Sequence, residues 1–118
     1  MFIGILQFEL SMPWSRSLKD KRSVVKSLKD RLHREHMVSI AEVAFEEIHN
    51  RAVLGVVMTS NSGRRCGAVI DRIVEKVSHL PDAELVDVQR EIIRGQDVRD
   101  ELIWEDLEAG DDQSGAAA

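Results

Sequence analysis

Tyrosine is absent from this chain, and aromatic residues make up only 4% of it. That scarcity excludes one common way of reading RNA. Stacking bases on an open sheet needs aromatic side chains on the central strands. Met1-Phe2-Ile3-Gly4-Ile5-Leu6 loosely fits the shorter of the two signatures of that kind, but Arg51–Met58 has no aromatic residue to complete it. Cys66 is the only cysteine, so neither an internal disulfide nor a cysteine-rich metal site can form. His33, His36, His49 and His79 show no metal-ligand spacing among themselves. No apolar run approaches the ~20 residues that span a bilayer. Glycine-rich phosphate loops are missing too: Ser62-Gly63-Arg64-Arg65-Cys66-Gly67 has neither the P-loop nor the dinucleotide spacing. The loop Ser11–Arg16 holds Arg16 but no glycine, which excludes an acylphosphatase-like cradle. These absences leave no reaction to assign and no cofactor to expect. They point to binding rather than catalysis.

What is present is a modest core and an uneven distribution of charge. The 118 residues are 43% hydrophobic, suited to one globular domain. The net charge is −5, yet residues 1–94 balance to +2 and residues 95–118 to −7. The acidity therefore belongs to the C-terminal segment, and an anionic partner for the body stays open. We divide the chain into a domain over 1–94 and an acidic tail over 95–118. The tail is expected to be partly helical and then disordered, either packing on the body or masking a basic surface.

The most informative stretch is Ser17–His36. Ser17 and Asp20 have the spacing of a capping box. At about 100° per residue, Leu18, Val25, Leu28 and Leu32 share one face, with Val24 at its edge. Lys19, Arg22, Lys26, Lys29 and His33 form a stripe roughly 80° wide beside it. Arg16 to Arg34 holds eight Lys/Arg against two Asp, so pairing within the helix cannot neutralise the run. Such a line of cations suits a row of phosphates. Helices of this kind also commonly carry charge only as a solvated face.

The remaining elements follow from period and punctuation. Met1–Leu10 alternates, with Phe2, Leu6, Phe8 and Leu10 on one side. This reads as a strand rather than a signal peptide and points to the cytoplasm. Met37–Phe45 is a second strand, β-branched at Val38, Ile40 and Val43. Glu46–Asn50 is a hairpin connection, and Arg51–Ser60 a strand apolar on both faces, as a central strand is. A second helix, capped near Ser62, carries the stripe Cys66, Val69, Ile70, Ile73, Val77 and Leu80 and stops at Pro81. That stripe makes Cys66 a buried structural residue. Ala83–Ile93 is the fourth strand, with Val86, Val88 and Ile92 expected on one face. The order β-α-β-β-α-β predicts an α+β ferredoxin-like sandwich, a four-stranded antiparallel sheet with both helices on one face. Right-handed crossovers make strands one and three central.

Ser17-Leu18-Lys19-Asp20-Lys21-Arg22-Ser23-Val24-Val25 resembles the YlxP-like family, small bacterial proteins grouped as a domain of unknown function. The likeness continues through Val38–Val43, Arg51–Val56 and Ser60-Asn61. The resemblance implies the same ferredoxin-like fold and a gene neighbourhood shared with translation and ribosome-assembly factors. It implies no catalytic residue.

The sequence thus points to a non-enzymatic binding protein that meets structured RNA or a ribosomal subunit through phosphate contacts from Lys19, Arg22, Lys26 and Lys29, supported by His33. No DNA specificity and no membrane contact are expected. The bare sheet face, with Ile3 and Ile5 and either the Ala52/Leu54/Val56/Met58 or the Val53/Val57 set, is expected to form a homodimer. Two alternatives remain: a homodimeric regulatory module binding a small ligand, and an enzyme whose site forms at the dimer interface.

Overall fold

The computed structural model describes residues 1–96. Expectations for the acidic tail lie almost wholly outside the described residues. The elements are β1 (Phe2–Ser11), α1 (Leu18–His36), β2 (Ser39–Ala44), β3 (Arg51–Ser60), α2 (Gly63–Val77) and β4 (Glu84–Arg94). The strands form one antiparallel sheet in the order β2-β3-β1-β4. This is the ferredoxin-like α+β sandwich, with β1 and β3 central. The pairing of Ile5 with Val57 and of Leu6 with Val56 sets the register of the central pair.

The alternation of β1 decides where the helices go. Leu6, Phe8 and Leu10 are buried on one side, with Ala52, Leu54 and Val56 beside them from β3. From α1, Val25, Leu28 and Leu32 close over this layer, and from α2, Cys66, Val69, Ile70, Ile73 and Val77. Gly4 sits where β1 passes close under α2. A Cβ there would stand 3.1 Å from Met58 and 3.3 Å from both Cys66 and Ile70. The other sheet face carries Ile3, Ile5, Val57 and Ile93, so it is the Val53/Val57 set of β3 that lies there. Val53 is nonetheless buried, and Val43 folds over Gly55, with its Cγ1 3.1 Å from where a Cβ would be. The open patch is therefore smaller than two-sided apolarity suggests.

Several expectations are corrected in detail. Ser17 caps α1 by accepting from the Asp20 N–H at 3.1 Å, but Asp20 returns its bond to the Arg16 N–H at 3.0 Å, one residue early for a reciprocal box. Strand β2 starts at Ser39 rather than Met37, because Met37 is the left-handed C-cap of α1 (φ 54°), its N–H bonded to the His33 carbonyl. Helix α2 ends at Val77, four residues before Pro81. Proline disfavours helical backbone at the residue before it, and the Ser78 hydroxyl donates to the Glu75 carbonyl at 2.7 Å. In β4 the register shifts opposite Glu9/Leu10. Leu85 and Val88 therefore both pack on the core while Val86 is left exposed, so of the expected Val86/Val88/Ile92 face Val88 and Ile92 stand together and Val86 leaves it.

Candidate nucleic-acid interface

Helix α1 exists as an amphipathic unit because its apolar residues recur three and four apart, and the arc they leave open is basic. Lys19, Arg22, Lys26 and His33 are exposed and Lys29 is half-buried. Glu35 meets Lys76 of α2 and stands some 120° to 180° round the helix from every member of the stripe. The stripe therefore occupies the flank turned away from α2. At its end the His33 Nδ1 lies 2.8 Å from the Val38 carbonyl, beside the edge strand β2. Arg64 and Arg65 open α2, which packs over β1 and β4, so they do not extend the stripe.

The five positions differ in availability. Among the described residues, Lys19, Arg22 and Lys29 make no ion pair. Lys26 pairs with Asp30 at 2.9 Å across one helical turn, with both side chains more than half exposed. The Lys26 ammonium, by hydrogen bond and by charge, holds the Asp30 carboxyl below its ordinary value. Such an exposed pair is weak and exchanges readily for another anion. His33 uses Nδ1–H on a carbonyl, so a neutral ring offers only the acceptor Nε2, and only an imidazolium offers a donor outward. Arg31 leaves the charge run as well, at 3.6 Å from Glu35.

Lys21 is the residue that reading the charge run alone misses. It lies in the middle of the basic stretch and yet its side chain is fully buried. The ammonium donates to Glu42 Oε2 at 2.8 Å and to the carbonyls of Phe45 (2.8 Å), Glu46 (3.0 Å) and Arg51 (3.3 Å). This clamp fixes the connection between β2 and β3, where Phe45 takes a left-handed conformation (φ 61°) and Arg51 lies 4.1 Å from the centre of its ring. The helical wheel carries the signal, since Lys21 falls inside the arc of Val25, Leu28 and Leu32. Glu42, placed between apolar neighbours in β2, is its counter-ion.

Residues 3–90 match the family described as protein of unknown function DUF503. The chain belongs to that family. It is 27% identical over 82 residues to the uncharacterized protein YlxP of Bacillus subtilis (strain 168), covering 70% of this chain and 89% of the relative. Among solved structures it is similar to a de novo designed protein with a ferredoxin fold, at 13% identity and a TM-score of 0.48 over 86% of this chain and 94% of the other. It is also similar to SnoaB, a cofactor-independent oxygenase of Streptomyces nogalater, at 12% identity and a TM-score of 0.42 over 85% and 98%. Neither likeness is close enough to bear on what this family member does.

Among the described residues no three His, Cys, Asp or Glu side chains are placed to hold a metal ion, and no helix is long and apolar enough to cross a membrane. Cys66 is buried within the α2 stripe, as its place there predicts.

Proposed function

We propose that this family member is a cytoplasmic, non-enzymatic protein that binds structured RNA or a ribosomal subunit through the outer flank of α1. One observation supports the reading above the others. Lys19, Arg22 and Lys29 follow one another along that flank, and no described carboxylate neutralises them. Lys26, between them, is held only by an exposed pair. Cations in such a row contact a phosphate backbone without reading bases, so the expected preference is for shape over sequence.

The direct test is recovery of RNA and ribosomal subunits at low and high salt by the wild type and by Lys19→Glu/Arg22→Glu. These two side chains have no ion pair to lose within the described residues, whereas Lys26→Glu would set a new carboxylate against Asp30. Recovery at low salt should fall at least tenfold in the variant. Equal recovery by both proteins overturns the proposal.

A second contact is supported by the open sheet face, where Val57 (43%) and Ile93 (39%) are exposed next to Ile3 and Ile5. We propose a homodimer through this patch. Sedimentation of the full chain should give a dimer that Val57→Lys converts to a monomer, and a wild-type monomer at high concentration contradicts it.

A further inference from the structure

Helices α1 and α2 meet at their C-terminal turns, and a groove of about 670 Å³ opens between them. That volume lies within the range of small-molecule sites. The walls carry Arg31 and His36 from α1 and Arg72 and Lys76 from α2, while Leu80 and Pro81 supply an apolar surface at one end. Two acids, Asp71 and Glu75, line the same groove, and Glu35 lies beside it. Asp71 pairs with Arg90 at 2.7 Å, Glu75 lies 3.7 Å from His79 Nδ1, and Glu35 holds Lys76 and Arg31.

The two wall carboxylates are turned further to solvent than the Lys76 side chain, while Arg31 and Glu35 are exposed alike, at 42% and 39%. The Asp71 and Glu75 side chains are 69% and 76% exposed, whereas Lys76 is 24% exposed. Arg72 makes no ion pair among the described residues. His36 lines the same groove, half-buried beside Lys76. Its imidazole is held below its ordinary value, first by burial and then by the charges of Lys76, Arg72 and Arg31, with Glu35 opposing. Its Nε2 lies 3.2 Å from the Lys76 ammonium. An ammonium can only donate, so Nε2 accepts and Nδ1 carries the proton.

We propose that this groove binds a small organic phosphate of nucleoside monophosphate size, with the phosphate on Arg72, Arg31 and Lys76 and the apolar body against Leu80 and Pro81. Arg72 supplies the charge that nothing described neutralises. Arg31 and Lys76 turn part of their Glu35 contact towards the ligand. A guanidinium pair suits a phosphate because it offers parallel N–H donors. The site lies across α1 from the basic stripe, so it stands or falls independently of RNA binding.

Titration of the full-length protein with adenosine 5′-monophosphate, inorganic phosphate and adenosine, followed by thermal shift and calorimetry, tests this. The nucleotide should bind saturably at least tenfold more tightly than inorganic phosphate, and adenosine should not bind. Arg72→Ala, at an exposed position outside the core, should weaken nucleotide binding at least tenfold, while Lys19→Glu/Arg22→Glu should leave it unchanged. Absence of a saturable signal, equal binding of nucleotide and phosphate, or full binding by Arg72→Ala each overturns the proposal.

Discussion

Lys21 shows how far one side chain can depart from its neighbours in a charge run. Its ammonium is enclosed by Glu42 and three carbonyls. Replacing it leaves a largely buried carboxylate and three main-chain acceptors to find new partners. Lys21→Met should therefore destabilise the domain by about 3 kcal/mol, read from urea unfolding, and Lys21→Met/Glu42→Leu should recover part of that loss. A single-variant cost within error of zero would mean that water replaces the clamp. His36 gives a pH-dependent counterpart. Its folded pKa lies below the ordinary 6.5, so the unfolded chain binds the proton first and stability falls as pH drops below about that value. His36→Gln should flatten the stability profile between pH 7 and 5. Below that range Glu35 and Asp30 take over. Lys76 and Lys26 respectively hold these carboxyls below their ordinary 4.5 and 3.8, so their contribution fades as the medium approaches and passes those values.

At the scale of elements, what was legible is what repeats. The 3.6-residue period of Val25, Leu28 and Leu32 and the alternation of Leu6, Phe8 and Leu10 placed α1 and β1 and, with the order of elements, the whole sheet. Non-repeating features were not legible. The bulge in β4 sends Val86 outward, and no pattern in Ala83–Ile93 marks where the extra residue falls. Left-handed Met37 is another such feature, since a glycine there would have announced the end of α1 and methionine does not. It is 88% exposed, so little packing opposes a change. Met37→Gly should stabilise the domain by about 0.5–1 kcal/mol by relieving the left-handed backbone. Thermal unfolding should show a rise of a few degrees, and a fall would mean that the exposed methionine contributes contacts of its own. The stripe on α1 was legible as a set of positions. Its availability was not, because Asp30 pairing with Lys26 and the tie from His33 to Val38 depend on rotamers and on the neighbouring strand.

For the whole molecule, the fold separates its charges as well as its layers. The outer flank of α1 is basic beside β2, and β4 at the opposite edge carries Glu84, Asp87 and Glu91 with Arg90 and Arg94. The outer flank of α1 thus favours the approach of an anion, a preference that a net charge of −5 conceals. The most direct measurement of that preference is the salt dependence of binding to a structured RNA, by fluorescence anisotropy, for the wild type and for Lys19→Ala. With three or four phosphates neutralised, log Kobs should fall against log salt with a slope of about −2 to −4. Lys19→Ala should make that slope shallower by about one. A binding constant indifferent to salt, or a slope unchanged by the substitution, would contradict an electrostatic contact along α1.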